Sequence, residues 1–118
     1  MTSQLVTYEL LMEKLSRDIA RNIRKTQRWQ RLSSYIRKKY PLCYNPFGDC
    51  IATIGDDVHH IIPIRRDPSL AYDKSNLVTL CRRCHSIVEQ IDIKYGDSTF
   101  LFNNDTGAGK SLCNTNYK

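Results

Sequence analysis

Apolar residues recur at alternating spacings of three and four along the first part of the chain. This period matches the turn of an α-helix and predicts an amphipathic helix over residues 4–23. We favour packing of its apolar stripe on the rest of the protein. A short dimer-forming coiled coil is the alternative. The stripe consists of Leu5, Tyr8, Met12, Leu15, Ile19 and Ile23.

A second helix is predicted over residues 27–40. Thr26 is a suitable N-cap, and Pro41 cannot continue a helix, so the segment has both a start and a stop signal. Its apolar face comprises Trp29, Leu32, Ile36 and Tyr40.

The pattern changes after a turn-rich segment at residues 41–55. Val58, Ile61, Ile62 and Ile64 form an apolar run that predicts a β-strand, and a second short run begins at Leu77. Helical spacing returns with Ile87, Val88 and Ile91. The order strand, loop, strand, helix predicts a small α+β unit.

Residues 97–118 are rich in Asn, Thr, Gly and Ser and are expected to fray.

With 118 residues, the chain is expected to form one small domain. A bound structural metal would help to stabilise a core of this size. It contains neither an apolar run long enough for a membrane helix nor a signal-peptide pattern. We therefore expect a soluble protein that stays in the cytoplasm. Five cysteines without an export signal favour metal ligation over disulfides.

Four of the cysteines form two pairs in the sequence. Cys81 and Cys84 have the two-residue spacing typical of structural zinc, whereas six residues separate Cys43 from Cys50. We expect all four to bind one zinc ion. The alternative is that they are reduced, buried and simply apolar. Cys113 is expected to be a free thiol in the tail.

Positive charge is concentrated near the N-terminus. The net charge is +6, and nine basic residues but only one acid lie between residues 17 and 39. A charge run is usually a solvated helix face, but this density favours contact with a phosphate backbone. The candidate DNA-binding residues of the second helix are Arg28, Arg31, Arg37, Lys38 and Lys39.

All three histidines lie in the strand–loop–strand–helix region. His59 and His60 are adjacent in the first strand, and His85 follows Cys84 at the start of the helix. Phosphodiester hydrolysis needs an activated water and stabilisation of negative charge on the phosphate and the leaving oxygen. An imidazole can accept the proton of the water, and a divalent cation can stabilise the charge.

These residues resemble the HNH nucleases. The resemblance is carried by a His-Ile-Ile-Pro strand at residues 60–63, by Asn76-Leu77, and by Cys-x-x-Cys-His at residues 81–85. The segments 29–32, 41–43 and 45–48 are similar to small HNH proteins encoded beside phage terminase genes. The resemblance implies a ββα-metal (His-Me finger) core.

The resemblance also implies a division of the chain and a function. An N-terminal helical arm would span residues 1–25, the nuclease domain residues 26–96, and a flexible tail residues 97–118. The protein would be a DNA endonuclease in a bacterial cell, with phage terminase subunits as potential partners. Its oligomeric state stays open.

The resemblance further implies individual roles. His60 would be the general base, and His59 and His85 would hold the catalytic metal, which could be Mg²⁺, Mn²⁺, Ni²⁺ or Zn²⁺. Asn76 would fix the loop and orient the base. Glu89, one helical turn after His85, could be a further ligand, could support a ligand, or could simply be solvated.

Three other interpretations stay open at this stage. The first is a zinc-stabilised nucleic-acid-binding module without catalysis, and the second is a phage assembly factor that uses the fold as a scaffold. In the third, His85 and Cys81 share one mixed structural metal site.

Overall fold

Three α-helices and one two-stranded antiparallel sheet are the main elements of the part of the chain that the structure describes. The computed structural model describes residues 2–51 and 53–102, with side chains from residue 7 onward. This confirms the predicted small α+β class. Among the described residues, no helix is long and apolar enough to cross a membrane. The elements are α1 (Thr2–Arg24), α2 (Gln27–Lys39), β1 (Asp57–His60), β2 (Leu77–Leu80) and α3 (Arg82–Tyr95).

Strands β1 and β2 and helix α3 form the centre of the protein. Asp57 pairs with Leu80 at one end of the sheet and His60 with Leu77 at the other. All four residues of β2 are buried, and α3 follows after a single residue. Helix α3 packs against both strands. This arrangement brings the start of α3 beside β1, although the two are distant in sequence.

Strand β1 ends at His60, earlier than the apolar run through Ile64 predicts. The Asn76 side chain explains the difference. Its Oδ1 accepts a hydrogen bond from the Ile62 N–H at 2.8 Å, and its Nδ2 donates to the Ile62 carbonyl at 3.1 Å. Because the backbone of Ile62 is bound by a side chain, it does not extend the sheet ladder.

Helix α2 begins where the sequence predicts. The Thr26 side chain accepts a hydrogen bond from the Trp29 N–H at 3.1 Å, which satisfies one of the free donors at the helix start. Trp29 and Ile36 are buried and pack with Leu77 of β2. The helix therefore covers one side of the sheet, and Trp29 lies against the end of β1.

Helix α1 packs on the protein only at its C-terminal end. Ala20 is buried with Ile64 and Ala71, and Ile23 packs on the same cluster. The preceding apolar stripe is exposed, with Tyr8 61% and Leu15 46% accessible. Packing of the whole stripe, which the sequence favours, is therefore not what the structure shows. The face that a coiled-coil partner would use is uncovered.

The chain after residue 96 contributes more to the core than its composition suggests. Thr99–Phe102 is a short 3-10 helix, and Phe102 is buried, with its ring centroid 5.2 Å from that of Tyr44. Ser98 is fully buried. Only these first residues of the predicted flexible tail are described, and Cys113 lies outside the described residues.

Gly55 is expected to be intolerant of any side chain. A Cβ atom there would lie 2.1 Å from Cγ2 of Thr79, a fully buried residue of β2. We expect Gly55→Ala to lower the free energy of unfolding by about 1–3 kcal/mol through overpacking. Urea titration followed by circular dichroism measures this loss. The double variant Gly55→Ala/Thr79→Ser lacks the clashing Thr79 methyl group. It should therefore recover part of the lost unfolding free energy. Wild-type stability of the single variant would contradict the proposed clash.

Candidate active site and metal sites

Four buried cysteines meet where the 43–50 loop approaches the start of α3. Their Sγ atoms all lie within 4.8 Å of one another. Cys50 Sγ is 3.4 Å from Cys43 Sγ and 3.3 Å from Cys84 Sγ. Four sulfurs at ~2.3 Å from one zinc ion would be about 3.8 Å apart, so this group fits zinc with small adjustments. The group includes Cys50 despite its wide spacing from Cys43.

Backbone amides support the thiol group. The Asn45 N–H points to Cys43 Sγ at 3.3 Å, and the Cys84 N–H points to Cys81 Sγ at 3.4 Å. Asn45 has a φ of 62°, and its side-chain oxygen accepts a hydrogen bond from the Cys50 N–H at 3.0 Å. Asn45 thus turns the loop so that both of its cysteines reach α3. Sequence reasoning missed this role.

Burial and hydrogen bonds shift the pKa values of three of these thiols. Burial raises the pKa of Cys43 to about 12 and also raises that of Cys84. For Cys81, burial acts in the same direction but is outweighed by hydrogen bonds, led by that from the Cys84 N–H, so its pKa is lowered. Burying several thiolates together is unfavourable unless a cation compensates their charge. A zinc ion would supply that charge.

A second group of potential ligands lies where helix α3 packs beside strand β1. Nitrogen atoms of His59 and His85 and a carboxylate oxygen of Glu89 lie within 4.8 Å of one another. The two imidazole centroids are 5.2 Å apart. His59 Nε2 is buried and has no hydrogen-bond partner among the described residues. A buried nitrogen without a partner is costly, so this atom is suited to a metal ion.

His85 is held between two carboxylates. Its Nδ1 lies 3.0 Å from Asp57 Oδ2, and its Nε2 lies 3.1 Å from Glu89 Oε1. Burial opposes the charged form, but hydrogen bonds with Glu89 and Asp57 outweigh it and raise the pKa of His85. A carboxylate on one ring nitrogen is the usual support of a metal-binding histidine. Asp57 was not predicted as a site residue. For Glu89, a role as metal ligand was one of three possibilities that the sequence left open.

The donor set fits a divalent cation. Burial lowers the pKa of His59 to about 3, so its imidazole is neutral, as a ligand must be. Two imidazole nitrogens and one carboxylate oxygen suit zinc, nickel or manganese better than magnesium. The hydrogen bond to His85 is the first cause of a lowered pKa at Glu89, and Arg24 contributes in the same direction.

His60 is in a different environment from its neighbour. Its Nε2 lies 2.9 Å from the Ala71 carbonyl oxygen, and its ring stacks on Trp29 with centroids 4.6 Å apart. Because a carbonyl only accepts, Nε2 carries the proton and Nδ1 of the neutral ring is a free base. Burial lowers the pKa of His60, which keeps the ring neutral. The geometry therefore suits a general base.

The two adjacent histidines contact different elements, as alternation along a strand requires. His59 lies beside His85 and Phe102, whereas His60 lies against α2 and the 61–76 loop. Both nevertheless line one open cleft of about 350 Å³. Because β1 ends at His60, both histidines lie near one end of the sheet.

Arginines of α1 form part of the wall of this cleft. Arg17, Arg21 and Arg24 line it together with the histidines and Arg65. The sequence includes these arginines in the basic segment 17–39, but the pattern of α1 does not show which helix face meets the site, so their position at the histidine cleft was not predicted.

The candidate DNA-binding residues of α2 lie elsewhere. Arg31 and Lys38 line a separate shallow groove beside Tyr35. The Arg28 guanidinium lies over the Tyr72 ring, 3.8 Å from its centroid. None of the five basic α2 residues predicted to contact DNA lines the histidine cleft in the described structure.

The structure separates the two groups of metal ligands. His85 lies with His59 and Glu89, whereas Cys81 lies with the other three cysteines. A single mixed site formed by His85 and Cys81 is therefore not what the structure shows. The histidine group and the cysteine group are distinct candidate sites on one small scaffold.

The comparisons with known proteins agree with this geometry. Residues 48–90 match the family model described as HNH endonuclease. The match spans β1, the intervening loop, β2 and most of α3, so this region is similar to HNH endonuclease domains. No curated protein and no solved structure gives a significant match.

Proposed function

We propose that this protein is a metal-dependent endonuclease that hydrolyses phosphodiester bonds of DNA, with His60 as the general base. The observation that carries the proposal is the contact between His60 Nε2 and the Ala71 carbonyl oxygen, which leaves Nδ1 of the neutral ring as the base. The His60 ring lines the same cleft as the His59, His85 and Glu89 group.

In the proposed mechanism, His60 Nδ1 takes the proton of the attacking water. Trp29 holds the plane of the imidazole by stacking. Asn76 fixes the backbone at Ile62, two residues after the base, and this contact keeps the end of β1 in place. Each of these residues therefore acts on the position or the protonation of the base.

His59, His85 and Glu89 would hold the divalent cation, and Asp57 would orient His85 through its Nδ1. When bound, the cation supplies positive charge for the phosphate and the leaving oxygen. A structural zinc held by Cys43, Cys50, Cys81 and Cys84 would tie the 43–50 loop to α3.

The basic residues of α2 are proposed to contact the DNA backbone outside the cleft. Arg31 and Lys38 are exposed beside Tyr35, and such contacts give affinity without sequence preference. We therefore expect weak dependence of cleavage on base sequence.

A role beside a phage terminase is a finer proposal that rests on the sequence resemblance alone, in the segments 29–32, 41–43 and 45–48. It predicts a direct complex with terminase subunits. Co-purification of tagged terminase subunits with the His60→Ala protein tests it independently of cleavage.

The nuclease proposal is tested with supercoiled plasmid and a panel of Mg²⁺, Mn²⁺, Ni²⁺ and Zn²⁺. Nicked or linear product is expected with at least one of these ions and not without added metal. The His60→Ala protein, purified in parallel, controls for contaminating nucleases. DNA binding without cleavage under every condition would favour the non-catalytic binding module instead.

A further inference from the structure

We propose that the arginine face of α1, formed by Arg17, Arg21 and Arg24, binds the phosphate backbone of the DNA strand that enters the histidine cleft. This inference rests on the proposed function for the identity of the substrate. It adds a binding surface on a helix that the sequence presents only as an arm.

The three arginines share one face of the helix. Their spacings of four and three residues place them in a row, and seven residues at 1.5 Å each span about 10 Å along the axis. One DNA strand advances ~3.4 Å along its axis per phosphate, so the row matches the reach of about three phosphates. All three residues are exposed to solvent and line the cleft.

The attachment of α1 fixes which face meets the cleft. Ala20, which also lines the cleft, is buried against Ile64 and Ala71, so the helix is anchored beside the arginine row. Tyr8 and Leu15 lie about half a turn away from Arg17 around the helix axis and are exposed. The helix thus turns its charged face, rather than its apolar face, to the site.

The α1 arginines have charge available for a ligand. Arg65 of the same cleft is already paired with Asp92, which is buried. The Arg21–Asp18 pair is 3.6 Å long and exposed, and such pairs are weak. Among the described side chains, neither Arg17 nor Arg24 forms an ion pair. A polyanion in the cleft would therefore meet guanidinium groups that no strong ion pair neutralises.

The test compares two charge-matched double variants of the full chain. Arg17→Gln/Arg21→Gln removes two charges from the cleft, and Arg82→Gln/Lys94→Gln removes two exposed charges that neither line it nor lie on α1. Arg24 is left in place because it influences Glu89. Circular dichroism establishes that both variants are folded. Binding of a labelled 30-base-pair duplex is followed by fluorescence anisotropy at several salt concentrations, without added divalent metal.

The cleft variant is expected to bind on the order of tenfold more weakly, with a salt slope smaller by about 1.8 for two lost phosphate contacts. The control should lose no more than about twofold through long-range charge. With metal added, the cleft variant should need more DNA to reach half-maximal rate, while its rate at saturation stays close to that of wild type.

Equal loss of affinity in the two variants would overturn the inference, because position in the cleft would then not matter. A wild-type protein that binds DNA but cleaves none with any metal would overturn the nuclease proposal instead. In that case the anisotropy comparison still decides whether the α1 face is the binding surface.

Discussion

Replacement of Cys84 by serine is expected to prevent stable folding. Cys84 is fully buried, and its Sγ lies 3.3 Å from that of Cys50. Structural zinc sites contribute about 10–16 kcal/mol of apparent binding energy in small domains, whereas whole domains are stable by only about 5–15 kcal/mol. Loss of the site would therefore remove as much free energy as the fold possesses.

The position of the cysteines explains why so much depends on them. Cys81 is the N-cap of α3, and Cys43 and Cys50 bracket the loop that covers the end of β2. One ion would connect these two segments at the centre of the protein. Without it, packing with apolar neighbours such as Val78 and Val88 would have to hold the two segments together.

The measurement combines elemental analysis with thermal unfolding. If the four cysteines bind one zinc ion, we expect about one zinc ion per wild-type chain after dialysis against a weak chelator. Cys84→Ser should retain little zinc and show no cooperative transition. Cys113→Ser is the matched control and should behave as wild type. A metal-free wild-type protein with an unchanged melting temperature would contradict the prediction.

Local patterns in the sequence were sufficient to predict most of the secondary structure. Thr26 and Pro41 bracket α2 as expected, and the run from Leu77 forms β2. The predicted end of β1 was wrong. The strand ends where the side chain of Asn76, 14 residues further along the chain, binds the Ile62 backbone. A long-range side-chain contact of this kind leaves no trace in hydrophobic periodicity.

The candidate site was only partly accessible to sequence reasoning. Histidines and paired cysteines are rare and chemically distinctive, so they could be selected without a structure. Asp57 and Arg17 belong to residue types that are abundant on any surface. Only the folded geometry distinguishes them, by placing Asp57 3.0 Å from His85 and Arg17 at the cleft wall.

Replacement of His60 by alanine is expected to slow DNA cleavage by about 10²–10⁴-fold, the typical contribution of one general base. The fold should survive, because the Cys cluster and the β1–β2 pairing do not involve the His60 ring. The loss of packing on Trp29 should lower stability only modestly. DNA affinity and zinc content are expected to stay near wild type, so the defect should lie in the chemical step.

Variants of the metal ligands should behave differently. His59→Ala and His85→Ala remove ligands rather than the base, so their rates should recover in part as divalent metal is raised. Asp57→Asn should show a weaker form of the same defect, because it only orients His85. Asn76→Ala disturbs the geometry at Ile62 and is expected to lie between these cases and wild type.

The decisive measurement is the single-turnover rate of plasmid nicking as a function of metal concentration. For His60→Ala, the rate should plateau far below wild type, since no amount of cation restores a proton acceptor at that position. A small base such as imidazole, added in excess at saturating metal, should raise this plateau. If His60→Ala reaches the wild-type rate at any metal concentration, His60 is not the base. The hydrogen bond to Ala71 would then only stabilise the loop.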